Sequence, residues 1–105
     1  MRTFNMVLQS LEDISGIQGI ELFDCLGRKV AEIHNKEGSR DSLKIYYHLM
    51  KNFPVLDRTA AAYDIELFAE YADDARNHPR KHPNIDRLFE IERNNQVFLI
   101  RIFSD

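Results

Sequence analysis

Residues 77–86 read NHPRKHPNID, and this stretch decides whether the second half of the chain is one helix or several. Pro79 and Pro83 lack an amide donor and push the residues before them, His78 and His82, towards extended backbone. A helix cannot run through, so the chain must turn here. On the N-terminal side, DRTAAAYDIELFAEYADDARN (57–77) is rich in alanine and long side chains of high helix propensity. The sequence therefore predicts one long third helix capped by Asp57, with Ala61, Ile65, Phe68, Ala72 and Ala75 central to an apolar face packed on a sheet. On the C-terminal side, Asn84 is predicted to cap a short fourth helix carrying Ile85, Leu88 and Phe89. FEIE in residues 89–92 also alternates like a strand approaching the Asn94-Asn95 pair. Residues 88–96 thus stay open between the favoured helix and a hairpin arm.

Outward from this centre, Phe4, Val7, Leu8, Leu11 and Ile14 share a helical face, with Thr3 as N-cap and Gly16 as stop. IQGIELFDCLGRKVAEIH then offers two β-prone runs, predicted at about 18–24 and 29–34. Gly27 between them can take the left-handed conformation of a hairpin loop. Ser39 or Asp41 can cap a second helix with Leu43, Tyr46, Tyr47 and Met50 on one side and Lys44, His48 and Lys51 on another, ended by Pro54. VFLIRIF (97–103) is apolar at six of seven positions. Such a run suits a strand covered on both faces, hence the central strand of the sheet. The expected fold is one α+β domain over residues 1–105: a three-stranded, mainly antiparallel sheet, formed by the hairpin and the C-terminal strand, with about four helices.

Chemistry-bearing residues concentrate around the His-Pro loop. His78 and His82 with Asp73, Asp74 or Asp86 have the donor types of a transition-metal site. Four extended residues can span about 13 Å, however, so the spacing argues against a shared ion, and no metal or other cofactor is expected. Helix ends explain these residues more simply. Arg76, Arg80 and Lys81 offset the aspartates at the end of helix three, and Asp86 suits the start of helix four. An alternative is an anion site at that helix start, with Arg80, Lys81, His82 and Arg87 as ligands. Asp64 falls inside the apolar face of helix three, where a charged, unpaired carboxylate costs on the order of several kcal/mol. Asp64, His78, His82 and Asp86 are accordingly the candidates for a catalytic or small-ligand site beside helix three. The chain contains no nucleophile elbow, phosphate-cradling loop or dinucleotide fingerprint, which weighs against an enzyme. Tyr46 and Tyr47 read as core or dimer contacts.

Composition narrows the classes further. With 44% apolar and 30% charged residues in 105, the chain can bury roughly 65% of its unfolded surface. A net charge of −3 gives no general attraction to nucleic acid, and no run approaches the roughly 18 apolar residues that span a bilayer. The amino terminus, interrupted by Asn5, Gln9 and Ser10, reads as part of the fold rather than as a signal peptide. Cys25 is the sole cysteine, which fits a reducing cytoplasm.

Two stretches, SGIQGIELFDCLGRKV and ELFAEYADDARNHPRKHPNIDRL, together more than a third of the chain, resemble segments of a family of short, functionally uncharacterised bacterial proteins of about a hundred residues. HPRKHPNIDRL is the more distinctive part. The resemblance implies a small bacterial domain and brings no activity, cofactor or catalytic residue. The function expected from the residues is a cytoplasmic interaction module that forms a homodimer or binds another protein through surplus apolar surface of the sheet or first helix. The alternative is a small-ligand, anion or metal-binding, even enzymatic, site at the His-Pro loop.

Overall fold

Gln18 marks the point where the chain enters its sheet, donating its N–H to Phe103 C=O at 3.1 Å and accepting from Asn35 N–H at 2.8 Å. The computed structural model describes residues 3–104. In chain order these form α1 (Phe4–Ser10), β1 (Gly19–Phe23), β2 (Lys29–His34), α2 (Arg40–Asn52), α3 (Arg58–Leu67), α4 (Glu70–Asn77), α5 (Pro83–Asn94) and β3 (Leu99–Phe103). The strands lie in the order β2-β1-β3, antiparallel throughout. The class is α+β as expected, with five helices among the described residues where the sequence suggested about four.

The hairpin closes because Asp24 Oδ1 accepts from the amides of Leu26 and Arg28, both at 2.9 Å, while Gly27 sits at φ 81°, a conformation that glycine adopts without steric cost. Ile20 and Leu22 of β1 stand opposite Ile33 and Ala31 of β2 and opposite Ile102 and Ile100 of β3. That face is the inner one, with Ile20 and Leu22 wholly buried. The other face carries Glu21, Glu32, Lys29 and Arg101. Phe103 lies over Gly19, where a Cβ would meet the ring and the Ile33 carbonyl at 2.6 Å each, and meets His34 edge-on at 5.5 Å.

Several expected boundaries move, each for a tertiary reason. The first helix stops at Ser10, with Leu11 extended. Asn35 Nδ2 then takes up the carbonyls of Ile14 and Ile17 at 2.9 and 2.7 Å, so the segment to Gly16 has partners that a longer helix would forfeit. On α2 the buried set is Leu43, Ile45, Tyr46 and Leu49, with Tyr47 and Met50 half-buried. Ser39 occupies the cap position without capping, since its Oγ donates to His34 C=O at 2.6 Å. The long third helix is two, broken at Phe68 and Ala69. Its first half packs chiefly on α5 rather than on the sheet, which α2 covers instead.

The last helix begins two residues earlier than an Asn84 cap would have it: His82 is the cap residue and Pro83 the first helical one, where a missing amide costs nothing. Residues 88–94 are helical, and Asn95 in the left-handed region ends the helix, with Gln96 N–H bonded to Ile91 C=O at 3.1 Å. The clearest correction concerns β3. It is an edge strand, not the central one; β1 holds the centre.

Candidate functional site

The His-Pro segment folds around one carboxylate. Asp74, in the C-terminal half of α4, takes His82 Nε2 on Oδ2 at 2.6 Å and Lys81 Nζ on the same oxygen at 3.0 Å, with His78 Nε2 3.8 Å from Oδ1. The His82 and Lys81 hydrogen bonds hold this carboxyl below the usual range. Pro79 and Pro83 reverse the chain so that three cationic or ionisable groups face back to the helix just left. Arg80 sits at φ 78°, and its amide donates to Asp86 Oδ2 at 2.9 Å, tying the turn to the first turn of α5. The His82 ring also meets Tyr71 edge-on at 5.7 Å.

The sequence candidates thus separate. His78 and His82 come together on Asp74, and Asp86 serves the Arg80 amide. Asp64 is wholly buried, and neither of its carboxylate oxygens has a hydrogen-bond partner. Burial pushes its pKa well up and so favours the neutral form. Burial likewise pushes the Tyr46 hydroxyl up, and that hydroxyl donates to Asn84 C=O at 2.6 Å. The anion candidates divide in the same way. Lys81 and His82 line a cleft with Phe4, Ser42, Tyr71 and Asn84. Arg80 and Arg87 line another groove with Val30 and Phe98, where Arg87 Nη1 is engaged by Asn84 Oδ1 at 2.9 Å. Among the described residues no group of three His, Cys, Asp or Glu side chains is arranged to hold a metal ion.

Two features lay outside the sequence reading. His48 Nδ1 bonds Glu12 Oε1 at 2.7 Å, and its Nε2 lies 3.3 Å from the Tyr63 hydroxyl, joining the post-α1 segment, α2 and α3. Burial works to raise Glu12, but the hydrogen bond to His48, a backbone hydrogen bond and the charges of His48 and Lys51 together hold the carboxyl below its usual value. Nothing in a sequence pairs residues 12, 48 and 63 before the fold is known.

The second feature is the contrast between the two sheet edges. β2 carries a register irregularity opposite Leu22 and Phe23 and the polar side chains Lys29, Glu32 and His34, with Lys29 paired to Glu32. Bulges and charges of this kind protect an edge from further pairing. β3 has Arg101 alone for charge. Val97 and Leu99 leave 40% and 50% of their surface in solvent. Phe98 exchanges both backbone hydrogen bonds with Leu56, at 2.8 and 2.9 Å, on the side away from β1. Strand alternation then turns the N–H and C=O of Ile100 and Ile102 to that same outer side.

The arrangement defines a small α+β protein in which a three-stranded antiparallel sheet packs one face against helices and has β2 and β3 as its edges. By sequence the chain belongs to the family described as "Uncharacterized protein conserved in bacteria (DUF2322)", matched over residues 4–102. No curated protein and no solved structure matches it. Among the described residues no helix is long and apolar enough to cross a membrane.

Proposed function

We propose that this bacterial protein is a self-associating interaction module of the cytoplasm, and that a second copy pairs with it along β3. The observation that carries the reading is the difference between the edges. β2 bears the charges and irregularity that discourage pairing, whereas the outer side of β3 presents backbone donors and acceptors within the most apolar run of the chain. Antiparallel pairing about a twofold axis at Arg101 sets Ile100 of each copy against Ile102 of the other, forming about four backbone hydrogen bonds. Each Arg101 already stands opposite Glu21 in register, so the two arginines that meet at the axis are flanked by carboxylates. Leu99 and Phe103 of opposite copies become neighbours, covering apolar surface left in water by the single chain. An exposed Cys25 thiol fits a reducing compartment.

Light scattering on the eluting protein at micromolar concentration tests the reading. The wild type is expected at twice the chain mass, and Leu99→Lys, which puts a second cation on the edge, at the mass of one chain. A wild type that elutes as one chain at every concentration up to about a hundred micromolar overturns it.

A further inference from the structure

The break between α3 and α4 has no local cause. Ala69 adopts φ 53° and ψ −125°, the first central position of a type II′ turn, closed here by Tyr71 N–H to Phe68 C=O at 3.1 Å. Glycine fills that position freely, whereas an alanine there is strained. No glycine or proline lies within residues 58–77 to break a helix there. Ala61, Ile65, Phe68, Ala72 and Ala75 would share one face of a straight helix, and all five are buried in the bent form as well.

The cause lies 65 residues away, in α1. The Phe4 ring stacks on Phe68, just before the turn, at 5.8 Å. It meets Tyr71, just after the turn, edge-on at 4.9 Å. The Phe4 amide donates to Glu70 Oε1 at 2.8 Å, so one residue grips both arms of the bend. We propose that α1 is a latch that holds α3 and α4 in a strained, bent state, and that undocking it lets residues 58–77 close into one continuous helix. Straightening carries Asp74 away from Lys81 and His82 and opens the cleft that Phe4, Tyr71 and His82 line. The seven residues of α1 are a short element to release, and the strain at Ala69 favours the straight form once they have gone. The latch is independent of pairing at β3.

The test is backbone resonance assignment of the full chain and of Phe4→Ala. In the wild type Ala69 should show the shifts and couplings of positive φ. In Phe4→Ala the Cα shifts of residues 68–70 should turn helical, with i to i+3 contacts running unbroken across residues 66–72. A straight helix also gives the Glu70 amide the Glu66 carbonyl, so its hydrogen exchange should slow by about tenfold. Adding Ala69→Gly to Phe4→Ala should restore the bend, because glycine adopts the turn without strain. A folded Phe4→Ala protein that keeps positive φ at Ala69 overturns the proposal. So does global loss of dispersed signals in Phe4→Ala, or a double variant that stays straight.

Discussion

At the scale of single residues, Asp64 and Ala69 each carry a local cost. A carboxyl that is fully buried without partners must stay neutral in the fold, whereas in the unfolded chain it ionises near its ordinary value of 3.8. Because the folded pKa is the raised one, the contribution of Asp64 to stability is intact below about pH 4 and declines as pH rises towards the folded pKa. Each pH unit in that interval costs about 1.4 kcal/mol. Urea unfolding of the wild type and Asp64→Asn at pH 4 and pH 7 should show the variant gaining relative stability at the higher pH; equal differences at both would contradict a neutral Asp64. For Ala69, a non-glycine residue in this conformation costs about 1–3 kcal/mol. Ala69→Gly should raise the unfolding free energy by about 1 kcal/mol once the extra freedom of glycine in the unfolded chain is deducted. A loss of stability would show that the backbone there is relaxed. The sequence placed Asp64 on the buried face correctly because helical periodicity is local. It gave no sign of the turn at Ala69, because Phe4, which touches both sides of it, is distant in sequence and Glu70 read simply as part of the same long helix.

At the scale of elements, prolines and glycines proved legible and long-range partners did not. Pro79 and Pro83 stop and restart helices where backbone chemistry requires, and Gly27 turns the hairpin. By contrast, α1 falls short of Gly16 because Asn35 claims the carbonyls of Ile14 and Ile17, a pairing no helical pattern could disclose. The His-Pro turn carries its own prediction. Asp74 has a depressed pKa owing to His82 and Lys81, so its support for the turn is present above the ordinary carboxylate value of 3.8 and is lost as pH falls through the lower, folded one. In an acid titration followed by amide exchange, the Lys81 amide, bonded to His78 C=O, should lose protection once Asp74 is protonated. Asp74→Asn should show that loss already at neutral pH. Protection unchanged in the variant would mean that the prolines alone hold the turn.

At the scale of the whole molecule, the three-stranded sheet and its hairpin followed from composition and alternation, but the place of β3 within it did not. An apolar run reads as a strand covered on both faces because natural sheets bury such strands. Here it lies at the edge, with Leu99 half in solvent, and a second copy is what we propose as its cover. In the same way the residues gathered by the sequence around one His-Pro site divide among a turn, a core and two separate clefts, since side-chain direction is set by packing rather than by proximity in the chain. Pairing along β3 is the central claim, and the amides of Ile100 and Ile102 report on it most directly. Their hydrogen exchange should slow as protein concentration rises from about one to a hundred micromolar, while the Leu22 amide of the central strand is unaffected by concentration. Fast exchange at Ile100 and Ile102 across that whole range would contradict it.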